Sequence, residues 1–143
     1  SESSTPFSVM IRNIHTGWGG IRQLPNEEIV ILVSSMWHLQ KLGAQLLFTD
    51  SHAYYQWANF YSNLADLNKI DWPLLQNRDF RRDPDDPAKF ERYQAEALVF
   101  QHLPIQGILG IVCYTEPLKQ AIDQQVQSRG LNLDVYARTG WYF

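Results

Sequence analysis

The tightest constraint in this 143-residue chain is its longest uninterrupted aliphatic run, residues 29–33 within Glu28-Ile29-Val30-Ile31-Leu32-Val33-Ser34. Five residues fall far short of the roughly 20 that a membrane-spanning helix needs, and β-branched content favours a strand. Apolar residues without alternation are expected of a strand buried on both faces. Covering both faces takes much further apolar surface, which a 45% hydrophobic composition supplies. Charged residues are only 19% and aromatics reach 13%, so either the interior is densely aromatic or some rings serve on the surface. The length suits one domain, residues 1–143. Twelve Lys and Arg against fifteen Asp and Glu give a net charge of −3, which excludes a histone-like polycation but not a local basic patch. The single cysteine, Cys113, excludes an internal disulfide framework and a four-cysteine zinc site, and it fits a reducing, cytoplasmic compartment. The opening Ser1-Glu2-Ser3-Ser4-Thr5 has no signal-peptide pattern.

The remaining elements follow from periodicity and punctuation. Residues 7–14 read as a short strand or a strand entering a helix, and Gly17, Gly19 and Gly20 make a loop exposing Trp18. Ser34 or Ser35 caps a helix through Leu42, with Gly43 as its left-handed stop. Residues 46–49 read as a strand. Tyr54, Trp57, Tyr61 and Leu64 recur at three- and four-residue spacing, which predicts a helix over 54–67. Asp71 caps another short helix with Pro73 in its first turn. Residues 78–89 form a polar loop, 94–100 and 108–114 are strands, 116–127 is an amphipathic helix stopped by Gly130, and 131–138 is the last strand. Four to six strands and three helices in mixed order make an α+β fold.

Candidate sites emerge where polar groups interrupt this pattern. The four histidines show no metal-binding spacing, and no metal is expected. His38 and His102 read as surface residues, whereas His52 follows a strand end, where functional groups gather. The alternative is that Asp50 or Ser51 caps the next helix and His52 merely packs beside it. No GxSxG or phosphate loop is present, and Cys113 in a strand reads as an inert thiol. Residues 78–92 carry five basic and five acidic groups, which a salt-bridged solvent loop would explain. Yet Phe80 and Tyr93 lie among the arginines, the pairing of charge and flat rings that suits single-stranded nucleic acid. Glu96 enters the strand Ala97-Leu98-Val99-Phe100 and is expected to be partly desolvated, as a catalytic carboxylate would be. The plainer alternative is an edge-strand glutamate turned to solvent.

The segments Ile70-Asp71-Trp72-Pro73, Arg78-Asp79-Phe80-Arg81-Arg82-Asp83-Pro84-Asp85-Asp86-Pro87 and Arg92-Tyr93-Gln94-Ala95-Glu96-Ala97-Leu98-Val99 closely resemble the DarT family. Thr5-Pro6-Phe7-Ser8, Phe48-Thr49-Asp50-Ser51-His52-Ala53-Tyr54 and Gly140-Trp141-Tyr142-Phe143 extend the resemblance over essentially the whole chain. These are toxins that ADP-ribosylate bases of single-stranded DNA and are neutralised by a macrodomain antitoxin of the DarG type. The resemblance implies a split mixed sheet gripping NAD as co-substrate, and thymine as the acceptor. It implies that Glu96 hydrogen-bonds the nicotinamide ribose, stabilises the oxocarbenium ion and helps deprotonate the base. Arg78, Phe80, Arg81, Arg92, Tyr93 and Gln94 are then DNA-contacting parts of the loop before the glutamate. Phe7, Ser8, Met10 and Arg12 form a second DNA-facing edge, and His52 lies near the acceptor base. Family members carry an earlier segment with an NAD-gripping strand and an NAD-binding loop, which nothing here matches. The chain is therefore expected to correspond to the C-terminal two-thirds of such an enzyme, without the main NAD-binding residues. A catalytically incomplete module that binds single-stranded DNA or the antitoxin is the competing expectation.

Overall fold

A computed structural model describes residues 9–143. Two three-stranded sheets share the work. The first takes β1 (Ile31–Val33), β5 (Gly110–Cys113) and β6 (Asp134–Ala137) in the order β1-β5-β6; the second takes β2 (Leu46–Thr49), β3 (Phe60–Tyr61) and β4 (Ala97–Val99) in the order β3-β2-β4. β1 runs antiparallel to β5, and β5 parallel to β6. Parallel neighbours need a crossover, and the 13-residue helix α5 (Glu116–Ser128) provides it. The second sheet is wholly antiparallel. This split, mixed arrangement is the α+β architecture expected from the sequence.

Local chemistry explains most boundaries. Ser35 accepts a hydrogen bond from the His38 N–H at 3.1 Å and starts α2 (Met36–Lys41), and Gly43 ends it at φ +81°. Asp71 accepts from the Leu74 N–H at 3.1 Å and starts α3 (Trp72–Gln76). Three expectations need correction. Residues 9–16 form helix α1 (Val9–Thr16), so of the two readings of residues 7–14 the wholly extended one does not hold. Among the described residues β1 is an edge strand with one face uncovered: Leu32 is 60% exposed and Val30, just before the strand, 52%. The third concerns residues 54–67, which hold no α-helix. Asp50 Oδ1 accepts from the Asn59 N–H at 3.1 Å and its Oδ2 from the Asn59 amide at 2.7 Å, tying residues 51–59 into a compact loop that delivers β3. Leu64–Lys69 follows as a 3₁₀ turn.

The cores divide with the sheets. Phe48, Leu64, Ile70, Leu75 and Tyr93 fill one side, while Ile29, Val112 and Tyr142 fill another; Cys113, Val126 and Val135 lie under α5. The chain end ties them together. The Tyr142 hydroxyl reaches the carbonyls of Ile29 (2.9 Å) and Val112 (3.1 Å), while Phe143 packs edge-on against Phe80 at 5.5 Å. Burial pushes the Tyr142 phenol up to about 12. Replacing Tyr142 with Phe leaves two buried carbonyls short of a donor, so urea unfolding should show a loss of about 1–2 kcal/mol. A raised folded-state value means this contribution is full below the unfolded phenol's ~10 and fades as pH climbs towards 12. Unfolding midpoints measured across that window should slope downward more steeply in the parent chain than in Tyr142→Phe.

Candidate active site

The site grows from the point where β2 and β4 part. Thr49 is fully buried at the end of β2; its N–H donates to the Glu96 carbonyl at 2.9 Å, and its hydroxyl reaches the Ser51 carbonyl. The Glu96 N–H in turn lies 3.3 Å from Thr49 Oγ1. These bonds fix the glutamate backbone immediately before β4 and turn the chain after Thr49 back across it. The Ala53 N–H then donates to Glu96 Oε1 at 2.6 Å, and His52 Nδ1 approaches the same oxygen at 3.0 Å. Oε2 has no hydrogen-bond partner among the described residues. The Glu96 side chain is 35% exposed and the His52 side chain 49%, so the expected partial desolvation is present without full burial. The Tyr54 N–H also lies 3.3 Å from His52 Nδ1. Nδ1 therefore stands between the Tyr54 N–H and the Glu96 carboxylate. His52 thus touches the candidate catalytic carboxylate, and the helix that Asp50 or Ser51 would cap does not form.

The polar segment before Glu96 is mostly self-neutralised. Arg81 forks onto Asp79 at 2.8 and 3.2 Å, and Lys89 joins the same carboxylate at 3.0 Å. Arg81 and then Lys89 hold the Asp79 carboxyl well below its usual range. Arg92, in the one-turn helix α4 (Lys89–Arg92), bridges Asp86 at 2.9 Å and Asp71 at 3.1 Å. Asp86 first, and Asp71 with it, push the Arg92 guanidinium upward, and Arg92 lowers Asp86 in return. Arg78, at φ +57°, donates to the Tyr142 carbonyl at 2.8 Å and lies 5.2 Å over the Phe143 ring. The salt-bridged reading of this loop therefore describes most of its charges. Arg81 nonetheless leaves 88% of its side chain in solvent.

The other expected DNA-facing residues separate. Arg12 stacks over Phe80 at 5.6 Å, and Met10 is 58% exposed on α1, so this helix does present a surface beside the loop. Phe7 and Ser8 lie outside the described residues. Phe80 is half-buried between Tyr93 (4.9 Å) and Phe143. Tyr93 needs correction: it is 6% exposed and packs in the core, so it offers no stacking face in this structure. Burial raises its phenol. Gln94 is turned inward to the Phe90 carbonyl at 3.2 Å and the Tyr55 hydroxyl at 3.5 Å.

Sequence reasoning assigned no site role to the rings that border Glu96. His52 meets Tyr54 and Tyr55 edge-on at 6.4 and 6.0 Å, and Tyr55 stacks on Trp57 at 5.0 Å with planes 8° apart. Tyr54 is 86% exposed and Trp57 62%. Their three-residue spacing resembles a buried helical face, and only the Asp50–Asn59 tie reveals a loop. Two surface clefts of about 350 and 440 Å³ lie near residues 42–45 with 99–104, and near Val33, Gly110 and Trp141; Glu96 lines neither.

The fold that positions this glutamate has counterparts among known proteins. The family model described as ssDNA thymidine ADP-ribosyltransferase, DarT, matches residues 4–143. The chain belongs to the DarT family. A DNA ADP-ribosyl transferase of Escherichia coli O127:H6 (strain E2348/69 / EPEC) is 58% identical over 139 residues, covering 97% of this chain and 64% of that protein. Thermus sp. 2.9 DarT in complex with ADP-ribosylated ssDNA superposes with a TM-score of 0.85 at 27% identity, over 97% of this chain and 65% of that one. The same enzyme in complex with NAD+ gives a TM-score of 0.82 at 26% identity, over 97% of this chain and 69% of that one. This chain spans just under two thirds of the length of the curated DarT relatives it matches.

The ion pairs make unequal claims on the loop. Arg92 joins the Asp71 cap of α3 to Asp86 of the loop, whereas Arg81 holds only its near neighbour Asp79. Limited proteolysis should therefore cut residues 79–88 several-fold faster in Arg92→Met, and at the parent rate in Arg81→Met.

Proposed function

We propose that this chain carries the acceptor half of an enzyme that transfers ADP-ribose from NAD to a thymine base of single-stranded DNA. The carrying observation is Glu96, with one carboxylate oxygen fixed by the Ala53 N–H and His52 and the other unpartnered among the described residues. A free carboxylate oxygen on a one-third-exposed side chain fits a sugar hydroxyl. NAD supplies the ADP-ribosyl group, with nicotinamide as the leaving group. Glu96 would hold the ribose and stabilise positive charge developing at the sugar, in a setting whose hydrogen bonds are already in place. The base nitrogen must lose its proton as the new bond forms, and the His52–Glu96 pair stands where that proton can be accepted. Met10, Arg12, Arg78, Phe80, Arg81, Arg92 and Gln94 are proposed to line the DNA path, with Phe7 and Ser8 as its continuation. An unpaired base reaches such a site at lower cost than one in a duplex. In the cell the activity would block replication as a cytoplasmic toxin, countered by a DarG-type macrodomain antitoxin, with residues 1–143 acting as one domain. No helix among the described residues is long and apolar enough to cross a membrane.

The exposed rings beside Glu96 also favour a second reading, a module that binds single-stranded DNA or the antitoxin without turnover. Intact mass of a thymine-bearing oligonucleotide after incubation with this chain and NAD separates the two. The first reading expects a gain of one ADP-ribose, reduced on the order of a hundredfold or more in Glu96→Gln. Binding without a mass gain supports the second. Equal modification by the parent chain and Glu96→Gln would overturn the assignment of Glu96.

A further inference from the structure

We propose that Tyr54 and the Tyr55–Trp57 pair form a stacking platform for the bases that flank the acceptor base. This rests on the reading of the site as one that receives single-stranded DNA, and it adds residues that the expected DNA path does not contain. Three observations carry it. Trp57 lies parallel to Tyr55, 8° apart at 5.0 Å, so Tyr55 covers one face of the indole while 62% of Trp57 stays in solvent. The ring is also held in place, because the indole N–H donates to Glu91 Oε2 at 2.7 Å. Finally, the wall is continuous with the chemistry: Tyr55 and Tyr54 both meet His52 edge-on, and His52 touches Glu96.

The chemistry of the wall selects a base over a protein partner. The residues between and beside the rings, Ser51, Ala53, Gln56, Ala58 and Asn59, are small or polar, and the next apolar side chain along the loop is Phe60 of β3, 51% exposed. With the indole N–H occupied by Glu91, Trp57 has only its π face to offer. Every base has a π face, so the platform would grip neighbours of the acceptor without reading their identity. Tyr54, 86% exposed and 6.4 Å from the His52 ring, supplies a second ring.

Anisotropy of a labelled oligothymidylate titrated with the chain across a salt series tests this. Tyr54→Ala/Trp57→Ala should weaken binding about tenfold or more. The slope of log affinity against log salt should stay unchanged, because no phosphate contact is lost. Trp57→Phe, which keeps a ring and loses only the Glu91 bond, should retain most of the affinity. Abasic substitution beside the acceptor should weaken the parent chain but add little to the double variant, the non-additivity expected of partners in contact. Parent-like affinity in the double variant, or a reduced salt slope, would overturn the platform while leaving the DNA reading standing. Absence of oligonucleotide binding by the parent chain would remove both. Sedimentation showing that the wall instead pairs two copies of the chain, with DNA affinity untouched by the double variant, would also overturn it.

Discussion

Everything at the site hangs on Thr49. Its side chain is sealed from water, and a buried hydroxyl must find partners or destabilise the fold. It finds them in the Ser51 carbonyl and in the backbone of Glu96, across the last rung between β2 and β4. The ladder therefore ends with the glutamate already placed. The chain leaving β2 turns tightly enough for the Ala53 N–H to meet the Glu96 carboxylate. The catalytic candidate and its histidine belong to segments more than forty residues apart, yet one threonine sets their spacing.

What the sequence made legible was whatever local chemistry decides. Residues 46–49 form the expected strand, α5 extends one residue beyond its expected end, Asp71 is the expected cap, and of Ser34 and Ser35 it is Ser35 that caps α2. Glu96 stood out because a carboxylate in an apolar strand is costly unless used. The misreadings share a cause. Tyr54 and Trp57 carry helical spacing, but the rings face water, and spacing cannot distinguish a buried stripe from an exposed wall. The run at residues 29–33 shows no alternation, yet Val30 and Leu32 face water, because nothing among the described residues covers that face of β1. Tyr93 sits among arginines in sequence, but the short helix α4 turns it into the core.

The two halves of the molecule meet through aromatic contacts near the chain end. Tyr142 belongs to the core of the first sheet, while Phe143 packs on Phe80 beside the second. Arg78 spans the junction, hydrogen-bonded to the Tyr142 carbonyl and stacked over Phe143. Its left-handed backbone costs on the order of 1 kcal/mol for a residue other than glycine, a strain that these contacts offset. The loop before Glu96 is thus anchored to the far sheet at one end and continues directly into β4 at the other.

The ion pairs of that loop change what a polyanion meets on arrival. Arg81, Lys89 and Arg92 already hold carboxylates, so these cations come with their own counterions. A phosphate entering there would exchange places with Asp79 or Asp86 and release an aspartate that stays tethered nearby. Such an exchange would return little entropy compared with freeing a dissolved ion. It would penalise strands that engage the loop by charge alone, and favour those that also fill the space around Glu96.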